Sequence, residues 1–209
     1  MPQSRIRWKV HFLGSALLVF LTNLPFLPGP SFLYWPAEIL YTAGQLGGLL
    51  GLVLVPLGGF LTVREILRAR RQTDYHLKQY SFWLWICPVV LILSTAIVGK
   101  WTRGIARDTA IERAQSLIAS IEQYKAQVGT YPRDFEQLQE RSGTKIPSPL
   151  IIGIEEYLYV RSDTSYSLNF AQNVLMFWNY EIVEYSPDSS HRMREDHSGL
   201  METGHAGWK

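Results

Sequence analysis

Three apolar stretches dominate the first hundred residues. An amphipathic stretch follows the third without a break. The first apolar run extends from Val10 to about Leu24, behind Arg5, Arg7 and Lys9. The second extends from about Ile39 to Val63, with no charged residue between Glu38 and Arg64. The third extends from about Phe82 to Val98. Each approaches the roughly 20 residues a helix needs to cross the hydrocarbon of a bilayer, so three transmembrane helices are expected. In the second, Gly44, Gly48 and Gly47, Gly51 make two overlapping G-x-x-x-G pairs. Small residues at that spacing let helices approach closely in lipid. Their expected partner is the first span, the third span or another copy of the chain. Pro56 with Gly58 and Gly59 predicts a kink near the far end. The spans are expected to hold no buried charge, which argues against an ion or proton path.

The connections set a topology. Residues 25–37 hold four prolines among aromatics and no Lys or Arg, and read as a short interfacial loop. The loop from Arg64 to Tyr80 carries Arg64, Arg68, Arg70, Arg71 and Lys78 against Glu65 and Asp74. Basic residues in short loops stay cytoplasmic. Both the N-terminus and this loop are basic. The reading is therefore an N-terminus inside, three crossings and a C-terminal domain outside, in a bacterial inner membrane. Net charge follows the same division: +5 over residues 1–99 and −3 over 100–209. The basic half sits beside apolar spans, so topology explains it and nucleic acid is not an expected partner. The lone Cys87 permits no internal disulfide.

Beyond the third span, Ala110, Ala114, Leu117, Ile118, Ile121, Tyr124 and Val128 recur at steps of three and four, an amphipathic helix from about Ile105. Gly129 is the residue type expected just past its end. Tyr131 precedes Pro132 and is expected to be extended. Asp134 and Gln137 predict a reciprocal cap on a short helix from about Phe135 to Gln139, ended by Gly143. The period then changes. Tyr157–Val160, Tyr166–Phe170 and Val174–Val183 read as three strands of an antiparallel meander, with turns at 163–165 and 172–173. So small a sheet must bury a face on something, and the stripe of the long helix is the obvious support.

Residues 118–138 resemble the stretch of type IV pilins and type II secretion pseudopilins in which the long N-terminal helix ends. Tyr124, Gly129, Tyr131, Pro132 and Leu138 carry the likeness, and Tyr159 with Tyr166-Ser167-Leu168 is similar to the family's first two strands. The likeness covers about residues 81–185. It implies a membrane helix continuing into the spine of an α+β head. The pattern departs at the start: Lys78, Gln79, Tyr80 and Ser81 hold no Gly, and no Glu stands at the fifth place of the span. A prepilin-peptidase site and the charge that sets filament register are both missing, so polymerisation is not expected.

The fold expectation is thus a membrane protein plus an α+β head. Residues 1–80 form a two-helix membrane region, 81–185 a third helix with its head, and 186–209 a polar, disordered tail. His191, His197 and His205 in that tail sit at spacings that match no metal-ligand pattern, so no metal or cofactor is expected. Catalytic motifs are lacking, and no histidine falls between 77 and 190. Glu155 and Glu156 are adjacent, and neighbours on a strand face opposite ways. The leading reading is a non-catalytic interaction or assembly module. It would act through a sheet edge or the aromatics Phe177, Trp178 and Tyr180, on the lipid bilayer and a membrane or periplasmic protein. A homo-oligomer through the second span is a further expected contact. An accessory pseudopilin and a membrane enzyme are the alternatives.

Overall fold

The computed structural model describes residues 8–72, 78–143, 145–176, 179–188 and 203–209. It is mostly helical with one small antiparallel sheet, an α+β chain. The contacts divide it into two compact units. The first comprises residues up to Leu24 together with Trp35–Thr102. The second comprises Pro25–Tyr34 together with Arg103–Lys209.

The first unit holds α1 (Trp8–Thr22), α2 (Tyr34–Gly51), α3 (Leu54–Arg71) and α4 (Tyr80–Leu93). A wide π-helical turn, Ser94–Val98, joins α4 to α5 (Gly99–Val128). Tyr80–Val128 is thereby one helix of 49 residues, long and apolar enough to cross a membrane. The pair α2 and α3 meets the same test only when taken together, across a 67° bend, and α1 is shorter. Among the described residues one such helix is present, or two if the bent pair is a single span.

Two expectations change here. The second apolar stretch is not one helix kinked at Pro56. It breaks a turn earlier, between Gly51 and Leu54. Proline lacks the N–H that would bond the carbonyl of Leu52, and its ring crowds that carbonyl. The chain therefore turns at Leu52, whose carbonyl accepts from Val55 instead (3.1 Å). Pro56 then sits in the first turn of α3, where it is tolerated. The basic loop is also shorter than expected, because α3 carries Arg64, Arg68, Arg70 and Arg71 in its last turns.

In the second unit α5 presents Ala106, Ala110, Ile111, Ala114, Leu117, Ile121 and Tyr124 to the core. Ile111 and Ala106 join the stripe that the spacing indicated, while Val128 stays half-exposed. Gly129 ends the helix at φ +86° and donates to the Lys125 carbonyl (2.7 Å). α6 (Phe135–Ser142) is capped as its sequence suggests: Asp134 accepts from the Gln137 N–H (2.8 Å). The Gln137 side chain accepts in return from the Arg133 N–H (2.6 Å), one residue earlier than in the usual reciprocal box.

The strands β1 (Leu158–Arg161), β2 (Tyr166–Leu175) and β3 (Asn179–Tyr185) run antiparallel in the order β1-β2-β3. The expected turn at Gln172-Asn173 is instead the far part of β2, with a bulge between Asn173 and Leu175. Both side chains are buried, and Gln172 pairs with Glu181 across the sheet. Polarity at these positions marks a buried hydrogen-bonding site and not a solvated turn. The end of the polar tail is also ordered. Glu184 and Lys209 exchange both backbone bonds (2.7 and 2.9 Å), and Trp208 is 2% exposed against Phe170 and Tyr185. His191 and His197 lie outside the described residues.

Candidate functional site

Tyr124, Gly129, Tyr131 and Pro132 lie in the second unit. Tyr124, Tyr131 and Pro132 are buried, and Gly129 takes the left-handed turn. Tyr131 packs edge-on against Tyr166 (ring centroids 4.8 Å), and Lys125 both bonds the Tyr131 hydroxyl (2.9 Å) and lies over its ring. That hydrogen bond raises the Lys125 pKa. Tyr159 donates to the Pro132 carbonyl (2.8 Å) and Tyr157 to the Ala110 carbonyl (2.6 Å), tying β1 and the residue before it to the helix and its exit turn. Burial raises the pKa of Tyr157, Tyr159, Tyr166 and Tyr185, because a phenolate would lose its hydration.

Three of the four expected packing glycines make close contacts inside the first unit. A Cβ on Gly44 would collide with Thr22, one on Gly51 would come within 2.6 Å of Pro88, and one on Gly48 within 3.3 Å of the Ile92 backbone. Their face is thus spent on α1 and α4. Gly47 has only Leu91 nearby, at 3.6 Å.

The interior of the first unit was not foreseen. Its buried residues include His11, Thr22, Asn23, Glu38, Thr42, Gln45, Thr62, Glu65, Ser81 and Ser94. Tyr41, Phe82 and Leu91 are buried with them, but most of the large apolar side chains face outward, with Phe12, Leu50 and Val53 each more than 70% exposed. Glu38 (1% exposed) and Glu65 (2%) correct the expectation that the spans bury no charge. Glu38 looked like a span boundary, but α2 begins at Tyr34 and takes it inside. Glu65 looked like a loop residue, but α3 carries it against the Lys78 backbone N–H (3.5 Å).

Two constellations stand out. His11 bonds Gln79 (2.7 Å) within a ring of Trp8, Phe82 and Trp83. At the other end of α1, Thr22 and Ser94 share a hydrogen bond (2.8 Å), and the Asn23 amide donates to Ser94 (2.8 Å) and to the Val19 carbonyl (2.8 Å). Thr102 donates to the side-chain oxygen Oδ1 of Asn23 (3.1 Å). The π turn presents Ser94 to this network. An isolated Thr, Asn or Ser in an apolar run gives no sequence signal of its own. Only their meeting does.

In the head, Glu181 on β3 accepts from Arg107 (2.8 Å) and from Gln172 (3.0 Å), and stands 3.6 Å from Arg103. His205 lies 3.4 Å from Asp108. Glu155 and Glu156 are exposed ahead of β1. Among the described residues, no three His, Cys, Asp or Glu side chains converge as metal ligands would. Of the expected contact surfaces, Phe177 and Trp178 lie outside the described residues, and Tyr180 is 39% exposed. The β3 edge is covered at Glu184–Ser186 by the chain end. Among the described residues no strand pairs with the outer edge of β1, where Leu158 and Val160 are half-exposed.

No family model, no curated protein and no solved structure matches this chain.

Proposed function

We propose that the chain is a bacterial inner-membrane protein with its N-terminus inside, crossing three times and displaying a pilin-like head outside the cytoplasm. The head serves as a non-catalytic interaction or assembly module. One observation carries the membrane reading: among its described residues the first unit buries ten polar side chains, Glu38 and Glu65 among them, while most of its large apolar ones, such as Phe12, Leu50 and Val53, stay exposed. In water that arrangement forfeits the hydrophobic driving force. In lipid it satisfies polar groups internally and gives the chains a matching solvent. The continuous Tyr80–Val128 helix supports a spine shared by membrane and head, and the half-exposed β1 edge offers main-chain pairing to a partner strand.

Alkaline phosphatase fused after residue 75 is expected to be inactive, and fused after residue 209 active. The reverse pattern would overturn the topology. For the module, a photo-crosslinker at Val160 is expected to capture one defined membrane or periplasmic protein, and the same probe at Arg133 none. Equal, diffuse labelling at both positions would sink the docking role.

A further inference from the structure

Within the first unit, α1, α2, α3 and α4 leave an open groove of about 710 Å³, within the roughly 300–1,000 Å³ of ligand clefts. Its walls are almost wholly apolar and include Gly14, Leu17, Gly47, Tyr80, Trp83 and Leu91. Leu17 and Tyr80 remain more than half exposed.

One end of this groove is chemically distinct. The His11–Gln79 bond sets the start of α1 beside the start of α4. The Glu65–Lys78 contact, with Trp85 donating to Thr62 (3.3 Å), sets the end of α3 there too. That end therefore gathers Lys9, Arg64, Arg68, Arg70, Arg71 and Lys78, all exposed. The carboxylate described among them, Glu65, is buried and 3.9 Å from Arg68. An apolar channel opening beside a cluster of cations matches one amphiphile in charge and shape. Its tail is a hydrocarbon chain and its head an anion.

We infer that this groove holds one acyl chain of an anionic bilayer phospholipid, with its phosphate at the Lys9–Lys78 end. The inference rests on the membrane reading above. A chain seated there fills the space beside Gly47, where a Cβ would have only Leu91 nearby, at 3.6 Å. The headgroup meets exposed cations of the kind that attract anionic lipid at a membrane surface.

The test uses the full chain purified from bacterial membranes in a mild detergent, supplied with phosphatidylglycerol or phosphatidylcholine and weighed by native mass spectrometry. The expected result is one retained phosphatidylglycerol, with phosphatidylcholine retained less by on the order of tenfold or more. Gly47→Leu, whose Cβ would have only the Leu91 side chain nearby, at 3.6 Å, fills the groove and is expected to abolish retention of both. Leu17→Trp is the second filling variant should the first fail to fold by circular dichroism. Lys9→Gln with Lys78→Gln is expected to erase the headgroup preference while leaving the melting curve unchanged. Equal retention of the two lipids by the wild type overturns the proposal. So does unchanged binding in the folded filling variants, or a lipid-free dimer with a second copy in the groove. A carbonate wash separates the two readings. A chain released from membranes refutes the membrane reading. A chain that stays but shows no preference refutes only the lipid site.

Discussion

The backbone N–H of Gly29 donates to the carbonyl of Leu150 at 2.9 Å, across 121 residues of chain. Ile152 and Gly153 answer with bonds to the carbonyls of Leu27 (3.0 Å) and Pro25 (2.7 Å). The proline-rich connector between α1 and α2 is thus a structural part of the second unit, and Phe26 is buried in it at 3% exposure. A Cβ on Gly153 would lie 2.8 Å from the Pro25 carbonyl oxygen. Gly153→Val is therefore expected to cost about 1–3 kcal/mol by overpacking. Pulse proteolysis of the detergent-solubilised full chain reads this as faster cleavage. Wild-type resistance would show that the connector does not matter to the head.

Asn23 joins α1, Ser94 and Thr102 in one network. Asn23→Ala is expected to destabilise the first unit by about 1–2 kcal/mol, the range for interhelical hydrogen bonds whose partners are left short. Thr95→Ala is the control, since the Thr95 hydroxyl bonds only carbonyls of its own helix. Denaturing-detergent titration should separate the two variants. Equal midpoints would remove the network from the account.

Glu181 and Arg107 are each about one-sixth exposed, between a surface pair and a buried one. Glu181→Ala leaves Arg107 and Arg103 without their shared carboxylate, at an expected cost of about 2 kcal/mol. The double variant Arg107→Met with Glu181→Leu should recover part of that loss, because Arg103 is then the one of the two arginines left without the carboxylate. Thermal unfolding of the three proteins tests it. A double variant no more stable than Glu181→Ala would contradict it.

Stability should fall in alkali. Tyr157, Tyr159 and Tyr166 have raised folded-state pKa values, chiefly from burial. The unfolded chain ionises them near pH 10, while the folded chain still holds their protons. Their contribution is full below that point and is lost as pH rises through it towards the folded values. Melting temperature from about pH 8 to about pH 11 should drop in the upper part, and less steeply in Tyr166→Phe. Identical profiles would exclude the tyrosine cluster as the cause.

Gly129 stands at φ +86° with no atom within 4 Å of where a Cβ would be. Gly129→Ala therefore tests conformation alone, with an expected cost of about 1 kcal/mol. Chemical denaturation of the head is the measurement. No change would mean the turn relaxes freely.

Much of the head was legible from local chemistry. A cap needs Asp134 and Gln137 three residues apart, and a left-handed exit needs Gly129. A helical stripe needs only its period. The strands were legible in number but not in extent. Gln172 and Asn173 look like a turn until the Gln172–Glu181 pairing supplies a partner. Trp208 looked like part of a polar tail because its partners, Phe170 and Tyr185, come from the sheet.

The first unit divides differently. Hydropathy alone located its apolar stretches, because transfer to lipid is a sum over residues and needs no knowledge of neighbours. Which residues face inward is a property of pairs. His11 with Gln79, Asn23 with Ser94 and Gly51 with Pro88 are each separated by more than thirty residues. The long helix from Tyr80 to Val128 was readable from its periods, since each turn is set by residues three and four apart. The buried polar interior beside it, and the proline-rich connector bound into the head, were decided only when distant segments met.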